Sequence, residues 1–257
     1  MAMILLPPSE GKTPASQGGK LNLAKLSYPE LNPTRLRVQQ QLLKVSEGNL
    51  KKALATLGIS AKQIGELENN QKLLTAHCAP AWQVYTGVLF GALDADSLTS
   101  AQLASLSKST YIQSALFGLV GFADSIPAYR LSGDTLLPKL GTLASIWAGQ
   151  CTPILNETSE LIIDLRSGTY VKLGPIPAQA NAVAPKVFQR MPKGEPKVVS
   201  HHNKATKGRI VRAIAQSRKQ VKSIEDLAAV ITSLGADVDL IAKAGKPTEM
   251  KVVVDVL

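Results

Sequence analysis

The chain has 257 residues, 45% of them apolar, with a mean hydropathy of +0.06, a composition that supports a sizeable core and excludes a disordered chain. Its net charge of +10 is accounted for between residues 186 and 222, where eleven basic side chains stand against one acid, Glu195; this points to a polyanion partner or, on the plainer reading, to a solvated basic face. No apolar run approaches the roughly 18 residues needed to cross a bilayer, and Cys78 and Cys151 are too few for a disulfide framework, so a soluble cytoplasmic protein without a membrane partner is expected.

Residues 3–6 form a short apolar run stopped by Pro7-Pro8, the pattern of a buried strand feeding a polar loop at Ser9-Glu10-Gly11-Lys12-Thr13. That loop has the Gly-Lys-Thr ending of a nucleotide-binding P-loop. The motif also needs a glycine where Leu6 stands, and Pro7 and Pro8 have no N–H to offer phosphate, so Lys12 is read as a cation lining a cleft. Asn32-Pro33 predicts a helix start ahead of Leu36, Leu42, Leu43 and Val45. Ser60 with Gln63, and Thr99 with Gln102, are capping-box pairs that open two more helices.

Strands are predicted at 110–112, 161–165, 197–200 and 251–256, the last pairing with 238–241 across a loop that holds Gly245 and Pro247. Turning about 100° per residue from Gly208 puts Ile210, Val211, Ile214 and Val221 on one side and Arg209, Arg212, Gln216 and Lys219 on another, an amphipathic helix with cations outward. Ser223 with Asp226 starts a second helix that ends at Gly235. Helices and strands mingle without a clean βαβ alternation. The expected fold is therefore a mixed α/β single domain over 1–257, with a mixed sheet flanked by helices rather than a doubly wound parallel sheet.

The chemistry-bearing motifs are few. His201-His202 are neighbours that a strand would point to opposite faces, and His77 stands alone beside Cys78, so no metal and no cofactor are expected. Neither a Gly-x-Ser-x-Gly elbow nor a Gly-x-Gly-x-x-Gly fingerprint occurs. Gly118-Leu119-Val120-Gly121 has the spacing of a hairpin whose N–H groups could receive a phosphate, and of an ordinary loop as well.

Residues 4–13, 84–88, 114–131, 146–156, 162–172 and 202–212 together resemble the YaaA family of bacterial peroxide-stress proteins. Residues 4–13 resemble its opening around "Ser-Pro-Ala-Lys-Thr", Val84-Tyr85-Thr86-Gly87-Val88 its "Val-Tyr-Thr-Gly-Leu", and Ser114-Ala115-Leu116-Phe117-Gly118 with Asp124 and Tyr129-Arg130-Leu131 its "Ser-Gly-Leu-Tyr-Gly" block and "Pro-Tyr-Arg-Leu". Ile146-Trp147 and Asn156 are similar to its "Phe-Trp-Gly" and later Asn. Residues 162–172 resemble its "Ile-Asn-Leu-Ala-Ser" block ending in Tyr-Phe-Lys, and His202-Asn203-Lys204-Ala205-Thr206-Lys207-Gly208-Arg209 with Arg212 its "Tyr-Ala-Lys-Lys-Ala-Arg-Gly" helix start. The blocks run in family order from residue 4 to about 212. The resemblance implies a cytosolic mixed α/β protein with a positively charged cleft, a helix-hairpin-helix-like element that binds duplex DNA, and a role in limiting peroxide damage linked to lowering free iron.

Two functions are therefore expected to compete. In the first, Lys204, Lys207, Arg209, Arg212 and Lys219 contact duplex phosphates, with Lys12, Arg130 and Lys172 lining a nearby cleft; the 4% aromatic content favours backbone recognition over base stacking. In the second, an enzyme acts on a small anionic or nucleoside-like substrate in a cleft built from Ser9, Lys12, Tyr85, Asp124, Tyr129, Arg130, Asp164, Ser167, Lys172 and Lys204. An iron-handling protein would need a ligand cluster that the sequence lacks, and a monomer is the favoured state. On the first reading, four phosphate contacts give a slope of about −3.6 for log affinity against log salt, measurable by titrating duplex DNA at several salt concentrations.

Overall fold

The computed structural model describes residues 1–191, 193–198, 200–242 and 245–255, and for residues 200–202 the backbone alone. Strand β1 (Met3–Leu6) opens the chain, followed after a long loop by helices α1 (Asn32–Ser46), α2 (Leu50–Leu57) and α3 (Ile64–Gln71). Short elements β2 (Ala79–Pro80), α4 (Ala81–Val84) and α5 (Val88–Leu93) lead to α6 (Ser100–Ser109) and the hairpin of β3 (Thr110–Ser114) with β4 (Gly118–Gly121). Next come β5 (Ser125–Ile126), β6 (Leu136–Leu137), β7 (Gly141–Thr142), α7 (Leu143–Glu157), β8 (Ile162–Asp164) and α8 (Gly168–Val171). The last part holds β9 (Ala182–Gln189), α9 (Ser200–Gln216), α10 (Ile224–Thr232), β10 (Asp237–Ile241) and β11 (Thr248–Val254).

Among the described residues the main sheet has seven strands in the order β10-β11-β9-β8-β1-β3-β4. Its centre, from β11 to β3, is parallel, and the two edges β10 and β4 are antiparallel. This is the expected mixed α/β sheet. Central parallel strands are covered on both faces, which is why Met3–Leu6 and Ile162–Asp164 are buried without alternation. Both capping boxes of the first half form, Ser60 with Gln63 on a short 3-10 turn and Thr99 with Gln102 on α6. So does that of Ser223 with Asp226 on α10. The tail pairs as expected, Val238 opposite Val252 and Leu240 opposite Met250, with Gly245 at φ +67° in the connecting loop.

Four expectations need correction. Asn32 lies inside α1, and its Oδ1 accepts a 2.9 Å bond from Arg35 Nη1 instead of capping the helix. Lys197 makes an isolated bridge to Gln189 and Ser200 opens α9, so no strand runs through 197–200; Val199 lies outside the described residues, as does Val256 of the tail. The amphipathic helix begins eight residues before Gly208 and ends at Gln216, which leaves Val221 and Lys219 beyond it. Gly118-Leu119-Val120-Gly121 is a fully buried strand, with a Cβ on Gly118 placed 2.8 Å from the Trp147 ring, so its N–H groups are not available to a phosphate.

Strand β9 was not legible, because Pro185 sits within it and proline argues against a central strand. The geometry resolves this. Strand β8 pairs with only Ala182 and Val183, so at Pro185 β9 has a strand partner on its β11 side alone, and it projects past the end of its neighbour as far as the isolated bridge of Gln189 with Lys197.

Helix α9 packs on α5, α6, α10 and β9. Its approach to α5 is closest at Gly208, where a Cβ would stand 2.2 Å from the Leu89 carbonyl oxygen and 2.9 Å from Leu93 N. Gly208→Ala therefore forces the helices apart, and we expect a loss of about 1–3 kcal/mol in urea unfolding, the usual cost of overpacking.

Candidate functional site

Parallel strands end in loops at one edge of a sheet, and ligands of α/β proteins collect there. Here β1 and β8 both stop short beside the projecting end of β9. The notch is a cavity of about 580 Å³. The loop after β1 supplies Pro7 through Gly11, the loop after β8 supplies Leu165 to Gly168, β9 supplies Lys186 and Val187, and α9 closes the side with Asn203, Lys204 and Lys207. Val88, Leu89 and Phe90 at the start of α5 add an apolar wall.

The floor is held by an ion pair. Arg166 Nε and Nη2 donate to the two carboxylate oxygens of Asp164 at 2.8 and 2.9 Å, while Nη1 donates to Gln113 Oε1 and to the Gly174 carbonyl. Both residues are buried, and every charged end has a partner. The loop so fixed presents the carbonyls of Leu165 and Arg166 to Lys207 Nζ, at 3.0 and 3.4 Å. Burial pushes the Lys207 amine down to about 8, opposed by the Asp164 carboxylate.

A second polar cluster lies behind the loop after β1. Lys12 makes an isolated bridge to Tyr85, donates to the Ser9 and Glu10 carbonyls at 2.9 and 3.3 Å, and sits 4.3 Å from the Tyr129 ring centre. The Tyr85 and Tyr129 hydroxyls share a 2.8 Å bond, and Tyr129 continues to Ser114 at 2.7 Å. Burial drives Lys12 down to about 8 and the Tyr85 phenol up to about 12. Glu10 divides this region from a further opening of about 420 Å³ that Arg130 lines. Its Oε1 accepts from Tyr170 at 3.1 Å and its Oε2 lies 3.2 Å from Arg130 Nη1.

The expected site residues thus fall into groups. Ser9, Ser167, Lys204 and Lys207 meet in the cavity. Lys12, Tyr85 and Tyr129 form the cluster behind it, and Arg130 touches it through Glu10. Asp164 is consumed by Arg166. Asp124 accepts bonds from Ser27 and Gly121 and braces a turn. Lys172 is exposed and does not line the cavity. The basic cluster does not make one surface: Arg212 is tied to the Leu93 and Asp94 carbonyls at the end of α5 and to Ser97, while Lys219 is paired with Asp226 at 2.6 Å beside the opposite, N-terminal end of β1. Arg209 is exposed on α9. The side chains of His201 and His202 lie outside the described residues. Sequence reasoning missed Glu10, Arg166 and Asn203; the signal for Arg166 was an arginine two residues after a strand-end aspartate.

No group of three or more His, Cys, Asp or Glu suited to a metal occurs among the described residues, and no described helix is long and apolar enough to cross a membrane. A lysine with a folded pKa near 8, against 10.5 in the unfolded chain, binds less proton when folded between those values, so stability rises as pH climbs through that window. We expect the urea midpoint to increase between about pH 8 and about pH 10.5, and Lys207→Met to remove part of that increase.

The family model described as "Peroxide stress protein YaaA" matches residues 2–235. A UPF0246 protein of Corynebacterium efficiens is 42% identical over 242 residues, covering 93% of this chain and 95% of its own. One from Streptomyces coelicolor is 37% identical over 260 residues, covering 98% of each. A more distant relative in a Shewanella species is 29% identical, covering 88% of this chain and 92% of its own. The ordered blocks, the sheet that brings them to one edge and these matches agree: the chain belongs to the YaaA family of peroxide stress proteins.

Proposed function

We propose that this peroxide-stress protein works by binding a small anionic ligand, of the phosphorylated class, in the cavity at the C-terminal ends of β1 and β8. The observation that carries this is the convergence of Lys204 and Lys207 with Ser167 around one cavity, where Lys186 on the rim is paired with Glu249 and the other walls are Pro7, Pro8, Val88, Leu89 and Phe90. About 580 Å³ falls within the roughly 300–1,000 Å³ of small-molecule sites, and the arrangement of a few cations over an apolar wall suits a ligand with one charged end. The positive end of the seventeen-residue helix α9 adds to the field there. No reaction is assigned by this reading.

Duplex DNA is the second reading, favoured by the exposure of Lys204 and Arg209 on α9 and of Lys193 and Lys197 just before it. Its supply of free cations is smaller than the sequence suggests, since Arg212, Lys219, Lys186 and Arg190 all make internal ion pairs. Calorimetric titration separates the two, with adenosine monophosphate and a short duplex as probes. The cavity reading expects Lys204→Ala with Lys207→Ala to weaken the mononucleotide about tenfold or more, the worth of a lost charge-assisted bond, while Arg209→Ala leaves it unchanged. Duplex binding that falls with Arg209→Ala, together with no mononucleotide binding, would favour the second reading.

A further inference from the structure

Lys12 and Lys207 are held alike. Each amine donates to two main-chain carbonyls at a strand end, Ser9 and Glu10 for the first, Leu165 and Arg166 for the second. An amine so bound has one tetrahedral position left. At Lys12 that position is closed by aromatic carbon, 4.3 Å from the Tyr129 ring centre and 5.4 Å from that of Tyr85. No ring covers Lys207 among the described residues, and it lines the cavity.

Burial eases the loss of a proton from Lys207, whose amine is lowered to about 8. The nearest carboxylate, Asp164, is already bonded at both oxygens by Arg166. Lys204 on the same helix adds positive charge, Lys186 on β9 is paired with Glu249, and α5, packed against this part of α9, has no ionisable side chain. Glu10 on the loop after β1 is engaged by Tyr170 and Arg130. A neutral amine has two N–H bonds to give and a lone pair for the remaining position. That matches the two carbonyl partners.

We infer that Lys207 is a covalent site for an aldehyde or ketone bearing a negative group, which it captures as an imine while Lys204 holds the charge. This rests on the anion-cavity reading above. The Nζ lone pair attacks the carbonyl carbon and a C–N bond forms. The carbonyl oxygen takes one proton from the nitrogen and one from solvent and leaves as water when the C–O bond breaks, which gives a protonated imine with nothing oxidised or reduced.

The test uses the full chain with one equivalent of pyridoxal phosphate, reduction by cyanoborohydride and peptide mass mapping. The adduct is expected at Lys207, at a rate that levels off above about pH 8, whereas exposed lysines keep gaining reactivity toward their ordinary pKa. Lys207→Arg should abolish it, and Lys204→Ala should slow it about tenfold for pyridoxal phosphate but not for unphosphorylated pyridoxal. Labelling spread over exposed lysines, or seated at Lys12 or Lys204, overturns the inference. Equal reaction of Lys207 with both aldehydes upholds the imine site and refutes the anion cavity; mononucleotide binding with no Lys207 adduct does the reverse.

Discussion

The buried pair of Asp164 and Arg166 is the interaction on which the site depends. Strand β8 has only three residues, and its last one is the aspartate. A carboxylate at that depth is tolerable only with both oxygens satisfied, and Arg166 does this while its third nitrogen ties Gln113 of β3 and the Gly174 carbonyl to the same point. The pair therefore ends the strand, fixes the loop that follows, and sets the two carbonyls that receive Lys207. Removing one partner would leave the other charge buried alone, which is costlier than never having had either.

A short strand beside a long one makes the cavity. Because β8 stops while β9 continues, the sheet has a step at its C-terminal edge, and Pro185 needs no N–H partner on the vacant side. Helix α9 covers the step. Gly208 lets it approach α5 closely enough for Lys204 and Lys207 to reach over the notch, and Arg212 anchors the far part of the helix to carbonyls at the end of α5. Cations that look alike in the sequence thus divide by packing: some face the cavity, some bind helix ends, and Lys219 completes the start of α10.

What was legible in the chain followed from local chemistry. The apolar runs of β1 and β8, the capping boxes at Ser60, Thr99 and Ser223, and the pairing of the tail with 238–241 each depend on neighbours in sequence. Other features depend on partners far away. The apolar pattern hid the start of α9 because 200–207 is polar, although the family resemblance marked a helix start there, and the close approach at Gly208 has meaning only once α5 is in place. Ser9, Ser167 and Lys204 were recognisable as polar groups at element ends and Lys207 as a cation of the basic segment, whereas Asp124 and Asp164 share the first description and serve as a turn brace and a buried counter-ion. Glu10 and Asn203 became visible only when four separate segments had been brought to one edge.

The central claim is that this edge of the sheet binds anions through α9. It is tested most directly by soaking crystals of the full chain with tungstate and locating the metal by its anomalous signal. The account predicts tungstate in the cavity, within hydrogen-bond reach of Lys204 and Ser167. Tungstate bound along the outer side of α9 near Arg209, with the cavity empty, would contradict it.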